Sequence, residues 1–180
     1  VLMFFMMPFF VLVINTFKTT PEFVRAPFAL PKSLHLENFT IAINRMDFFN
    51  ALKNTATVTV LTVLVNTLVA TMTGYLFARK RWKINKLIFG AFLVSMVAPF
   101  QVYMIPLVKI YGGTLGLSNN LSLVAFIAVG LNIPFAVFLY QGFVKGIPEE
   151  LDEAARIDGC GFGATFFRII LPLLKPIIIT

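Results

Sequence analysis

Ile147–Pro176 reads IPEELDEAARIDGCGFGATFFRIILPLLKP, a charged island set between apolar stretches of membrane length. Leu121–Val144 precedes it without one Asp, Glu, Lys or Arg, and a further apolar run opens near Ile169. The island has the local physics of a short amphipathic helix. Pro148 suits a first helical position, where its missing N–H would be unpaired anyway. Glu149, Glu150, Asp152 and Glu153 place negative charge where the N-terminal end of the backbone dipole favours it. Gly159 is a natural stop, because glycine enters the left-handed C-cap conformation without a Cβ penalty. Leu151, Ala154, Ala155 and Asp158 recur at three- and four-residue spacings, so one side is small and largely apolar and suited to lying close against another surface. On composition alone a solvated hairpin whose alanines merely favour helix is the stronger reading.

The order of the residues reverses that preference. Glu153-Ala154-Ala155, then three residues, Gly159, then nine residues, and Ile169-x-Leu171-Pro172 resembles the EAA loop of the permease subunits of binding-protein-dependent ABC importers. The flanks, Ile147-Pro148-Glu149-Glu150-Leu151-Asp152 and Arg156-Ile157-Asp158, are most similar to the carbohydrate branch, the maltose-type inner permeases. The resemblance extends back through Gly112-Gly113-Thr114-Leu115-Gly116-Leu117-Ser118-Asn119 and more loosely to Asn54.

Further out, the apolar runs set the fold class. The 180-residue chain is 58% hydrophobic and 13% charged, with a mean hydropathy of +0.88. A bilayer core takes about 20 mainly apolar residues to cross as a helix. Asn54–Ala78 and Leu87–Val108 join Leu121–Val144 as uncharged candidates except for their flanks, and Val1–Phe17 is a fourth. The expectation is an all-α polytopic membrane protein with five transmembrane segments. The first reads as truncated, since neither an initiator Met nor a basic n-region precedes it, and so does the last. One transmembrane domain spans 1–180, with a core at about 50–180, an outer loop at 18–53 and a cytoplasmic loop at 145–170.

Orientation follows from the basic residues. Arg79, Lys80, Arg81, Lys83 and Lys86 crowd into one connector with no acid among them, which marks it as cytoplasmic. The island lies two crossings further on and shares that side. The loop Lys18–Lys53 also holds five basic residues, but spread out and with three acids. The net charge of +7 is accounted for by anionic headgroups at the membrane surface and needs no nucleic acid.

Irregularities inside the runs carry further information. The outer loop, with Pro21, Pro27 and Pro31 in its first half, is expected to be irregular there and to form short surface helices over Leu36–Lys53. Pro99 and Pro106 each remove a backbone hydrogen bond and favour a kink. In a membrane such breaks persist where neighbours satisfy the freed carbonyls, so that helix is expected to be buried in the bundle. Asn66, Ser95, Gln101, Asn132, Tyr140 and Gln141 are costly against lipid and are expected to face protein or a water-filled path. For any one of them taken singly, interhelical hydrogen bonding is the stronger reading. As an uncharged set they suit a neutral polyhydroxylated solute, and Gln101, Asn132 and Gln141 are the candidates for a translocation path. Cys160, the single cysteine, reads as a small space-filler, and His35, the single histidine, has no second metal ligand in view.

The resemblance implies a helix bundle of the type I ABC importer permease kind, with a sixth helix after the fifth, in a bacterial or archaeal plasma membrane. Its EAA loop would be cytoplasmic and would insert into a cleft of a separate ATPase subunit. By the resemblance, Glu150, Asp152, Glu153, Ala154, Ala155, Arg156, Asp158 and Gly159 would form that coupling loop. Glu153 would make a polar or charged contact to the ATPase, Ala154 and Ala155 would allow close approach, Gly159 would turn the chain out of the helix, and Arg156 with Asp158 would pair locally or across the interface. Leu171-Pro172 would start the next membrane helix. The implied partners are a second related permease, an ATPase dimer, an external solute-binding protein and membrane lipid.

No G-x-x-x-x-G-K-[ST] phosphate cradle occurs, nor HExxH, CxxC or G-x-S-x-G. No catalytic, cofactor or metal site is therefore expected in this chain, and ATP with Mg would be held by the partner ATPase. The alternative reading is a self-contained secondary transporter or channel, which also uses proline-broken helices and polar midplane residues. Against it stand the lack of any Asp, Glu, Lys or Arg in the three complete runs and the absence of a recognisable second half.

Overall fold

Helices, widened in places to π-type turns, are the only regular structure among residues 2–179, the part described in the computed structural model. The chain divides into two compact units, Val1–Thr55 and Ala56–Thr180.

In the first unit α1 (Leu2–Thr16) is apolar all round and shorter than a bilayer crossing. α2 (Thr20–Arg25) lies in the stretch whose prolines predicted irregular backbone. Pro21 falls in its first turn, where a proline is tolerated, with Glu22 beside it and Arg25 in the last turn. α3 (Glu37–Arg45) is the expected surface helix. Lys18 ties the connections together. Its side chain is buried, and Nζ donates to Asn15 Oδ1 at 2.7 Å, Ala26 O at 2.9 Å and Pro27 O at 3.2 Å. Asn38 Nδ2 donates to the carbonyls of Thr16 and Lys18.

α4 runs from Phe48 to Arg79. Its 32 residues, rising about 1.5 Å each, exceed the roughly 30 Å hydrocarbon core. α5 (Lys83–Val97) follows, then α6 (Phe100–Leu107) running into a π-type segment, Val108–Thr114. α5 and the Phe100–Thr114 helix meet at 95°. Pro99 causes the break, because the residue before a proline is pushed out of the helical region, and Ala98 accordingly has ψ 120°. Pro106, by contrast, is accommodated inside α6. The expected burial of this broken helix does not hold within the chain: Val94 and Val97 are 73% and 83% exposed. α5 lies along the next helix by one face only, with Phe89 stacked on Phe138.

That next helix, α7 (Leu121–Lys145), is capped by Asn120, whose Oδ1 accepts from Leu123 N at 3.1 Å. α8 (Glu150–Ile157), α9 (Phe162–Thr165), a π-type segment Phe166–Ile170, α10 (Leu171–Leu173) and α11 (Lys175–Ile179) complete the chain. The apolar helix after the island starts at Phe162, not at Leu171-Pro172, which lies within it. Pro172 has no N–H to return to Arg168, and the loosened ladder just upstream is the π-type segment.

α4 and α7 are each long and apolar enough to span a membrane, and the bent α5 plus Phe100–Thr114 pair is a third candidate. Leu2–Thr16 and Phe162–Leu173, the first and last of the five expected segments, are apolar but shorter. α4 and α7 cross where Ala70 and Gly74 form a small-xxx-small pair, the pattern that lets membrane helices approach closely. A Cβ on Gly74 would stand 2.9 Å from Gln141 N and 3.0 Å from Tyr140 Cβ. Ala70, Val137 and Tyr140 form one buried cluster, and Tyr75, Val144, Ile147, Phe166, Ile170 and Leu174 form another beneath α8.

Candidate functional site

The island folds as its residues dictate. α8 has Glu150, Asp152 and Glu153 in its first turn and Arg156 in its last, both complementary to the helix dipole. It ends in a Schellman motif: Cys160 N donates to Ala155 O at 2.8 Å and Gly159 N to Arg156 O at 3.0 Å. Gly159 occupies the left-handed position of that motif with φ +81°.

The structure divides the predicted coupling residues into two sets. Asp152 and Ala155, three apart and so on one helix face, are buried against the chain's own body. Glu150, Glu153, Ala154, Arg156, Asp158 and Gly159 are exposed. The side expected to carry Ala154 and Ala155 together toward a partner is therefore split. Ala155 lets α8 sit close on its own bundle, and Ala154 alone of the two faces outward. The largest apolar side chain at the tip is Ile157, 87% exposed.

Asp152 is held from below by α4. Arg79 Nε donates to Asp152 Oδ2 at 2.9 Å, with the two side chains only 5% and 4% exposed. The Tyr75 hydroxyl donates to the other carboxylate oxygen. Tyr75 and Arg79 are one helical turn apart, so both reach the same point. The guanidinium also caps the end of α7, donating to Ile147 O at 2.9 Å and Val144 O at 3.3 Å. The Tyr75 ring stacks on Phe162 with centroids 4.5 Å apart and leans on Phe166. Lys80 Nζ lies 5.3 Å from the centroid of the same Phe162 ring. Two side chains of α4 thus fasten the end of α7, the first turn of α8 and the start of α9. A carboxylate and a guanidinium so desolvated are tolerable only because the charges are paired and their remaining hydrogen-bonding groups engaged.

The expected path residues are not gathered. Gln101 is exposed on α6. Asn132 is exposed on α7, and its Nδ2 donates back to Ala128 O at 2.7 Å. Gln141 lies about two and a half turns further along α7, on the opposite face, and is buried at the crossing with Gly74. Thr62 and Asn66, on one face of α4, instead present buried oxygens without a hydrogen-bond partner.

Residues 67–180 match the family described as binding-protein-dependent transport system inner membrane component. The chain belongs to this family. It is 40% identical over 173 residues to the probable starch degradation products transport system permease protein of Thermoanaerobacterium thermosulfurigenes, covering 96% of this chain and 62% of that protein. It is 34% identical over 174 residues to the melibiose/raffinose/stachyose import permease protein of Bacillus subtilis, with the same coverage of both. The multiple sugar-binding transport system permease protein of Streptococcus mutans is 35% identical over 176 residues, covering 95% of this chain and 62% of its own length. The chain thus spans about three-fifths of the length of these curated relatives. As a member of this inner membrane family with several apolar helices, it is a helical, multi-pass membrane protein.

Proposed function

We propose that this chain is a transmembrane permease subunit of an ATP-driven sugar importer, with α8 as the cytoplasmic element that receives motion from a separate ATPase subunit. The observation that carries the reading is the Arg79–Asp152 pair, which ties the outwardly exposed helix α8 to α4, while the same guanidinium holds the end of α7. The outward residues Glu150, Glu153, Ala154, Arg156, Asp158 and Ile157 form the contact surface, and Asp152 with Ala155 fixes it to the bundle. Closure of an ATPase dimer on ATP and Mg, both bound outside this chain, moves α8. Because α8 is fastened at its base, α4 and α7 move with it and the bundle changes packing. Such a change requires the ATPase to favour one packing when nucleotide is bound.

The remaining assembly is a second related permease, an ATPase dimer and an external solute-binding protein, in a bacterial or archaeal plasma membrane with the α8 side cytoplasmic. The basic Arg79–Lys86 connector supports that orientation. Sugar as cargo is supported by the relatives, whose names specify starch degradation products, melibiose, raffinose and stachyose. Gln141 is taken up by the helix crossing, so the path role is proposed for Gln101 and Asn132. Co-purification of the full-length protein with its ATPase, followed by hydrolysis assays with the external binding protein and a panel of oligosaccharides, tests the reading. Sugar-stimulated hydrolysis is expected. Transport by the permease alone on an ion gradient would overturn it.

A further inference from the structure

At the end of α4 a cavity of about 590 Å³ opens between the basic connector, α5 and α7. This lies within the roughly 300–1,000 Å³ typical of ligand clefts. Its lining mixes two chemistries. Phe77, Phe89 and Leu93 contribute apolar surface, and Arg81, Lys86 and Lys145 contribute cationic groups; on α5, Lys86, Phe89 and Leu93 follow one another along a single helix face. Arg79 and Lys80 also line it, but Arg79 is committed to Asp152 and Lys80 lies over Phe162. Arg81, Lys86 and Lys145 have no carboxylate within ion-pair distance among the described residues, although Glu149 is also part of the lining. The cations outnumber that single acid, so the cavity as it stands is electrostatically uncompensated.

We infer that this cavity is a binding site for the headgroup of an anionic phospholipid, with the phosphodiester on Arg81, Lys86 and Lys145 and an acyl chain along Phe89 and Leu93. The ligand class follows from the combination of features. A free phosphate would use the cations and leave the aromatic side chains wet. A zwitterionic lipid would bring a further cation against the three already present. An anion attached to a hydrocarbon chain uses both parts of the lining. The position suits it, because the connector follows the end of a membrane-length helix and α5 leads from the basic cluster into an apolar stretch. Basic pockets between membrane helices recognise such headgroups, and each cation near the surface contributes about fivefold in affinity. The inference stands independently of any coupling to an ATPase.

The test is native mass spectrometry of the full-length protein in detergent, titrated with phosphatidylglycerol or with phosphatidylcholine of the same acyl chains. Phosphatidylglycerol is expected to be retained at least tenfold more strongly. The triple variant R81Q/K86Q/K145Q, all at exposed positions, should lose that preference. Glu149→Gln removes the acid from the lining and should strengthen phosphatidylglycerol binding severalfold, a gain that misfolding does not produce. Equal retention of the two lipids, or an unchanged preference in the triple variant, would overturn the site. Displacement of phosphatidylglycerol by an equal concentration of inorganic phosphate would show a simple anion site and overturn the lipid assignment.

Discussion

Arg79 Nε stands 2.9 Å from Asp152 Oδ2, a buried ion pair between the last residue of a membrane-length helix and the first turn of the exposed helix α8. Pairs of this kind add little to stability relative to a well-packed apolar substitute, but removing one partner strands the other charge. Asp152→Ala should therefore destabilise the protein by about 3–5 kcal/mol, measured by thermal unfolding in detergent. Arg79→Lys keeps the charge but loses the fork that reaches Val144 O and Ile147 O as well as the carboxylate. It should fall between the wild type and Asp152→Ala. A Lys variant as stable as the wild type would show that charge alone, not the planar donor array, holds the joint.

Gly159 turns the chain out of α8 at φ +81°, a conformation that costs a β-branched residue about 1–2 kcal/mol. No neighbouring atom would meet an added Cβ, so the cost is backbone strain alone. If α8 couples this chain to an ATPase as proposed, Gly159→Val is expected to weaken sugar-stimulated hydrolysis in the assembled complex, while Gly159→Asn, which tolerates this region, should retain most of it. Hydrolysis by the Val variant indistinguishable from that of the glycine protein would remove the turn from the mechanism.

Gly74 is intolerant for the opposite reason. Its backbone angles are ordinary, but α7 occupies the space a side chain would need, with Gln141 N at 2.9 Å. Because that nearest atom is backbone, Gly74→Val must push the helices apart, and overpacking of this kind typically costs about 1–3 kcal/mol. Hydrogen exchange should show faster opening of α4 and α7 near the crossing. Unchanged protection there would mean that the two helices do not rely on close approach.

What the sequence made legible follows from which signals are local. The apolar runs, the Pro99 break, the acidic first turn of α8 and the Gly159 stop each depend on a few consecutive residues, and each appears in the fold. The anchor was not legible, because Tyr75 and Arg79 meet Asp152 across more than seventy residues of chain. Arg79 read naturally as one of a cluster of topology-setting cations, and Asp152 as one of four acids near a helix start. A hint was present in the three-residue spacing of Asp152 and Ala155, which puts an acid and a small residue on one face. Choosing which face turns inward required the bundle. The same limit applies to Gln141, whose amide was indistinguishable in sequence from that of Asn132.

Lys18 makes a separate prediction for the first unit. Its ammonium donates to one side-chain and two backbone oxygens in a buried position. Lys18→Met preserves the stem but leaves those acceptors without their donor, a cost of about 1–3 kcal/mol. Limited proteolysis should then cut more readily between α2 and α3. Protection equal to that of the wild type would mean that Asn38 and the Lys32–Glu22 contact hold the segment without it.

The two faces of α8 lead to opposite expectations, and the contrast separates a docking role from a structural one. Ile157 is 87% exposed and touches the chain's own core little, so Ile157→Asp should change unfolding by no more than about 0.5 kcal/mol. If the outward face seats in an ATPase, the same substitution puts a charge into an apolar contact and should reduce ATPase retention on co-purification by at least about tenfold, the equivalent of roughly 1.4 kcal/mol. Asp152→Ala should behave in the reverse order, losing stability before association, because its carboxylate faces Tyr75 and Arg79 and not the outside. Were Ile157→Asp to leave ATPase retention intact, the outward face of α8 would not be the contact surface, whatever the stability of the anchor beneath it.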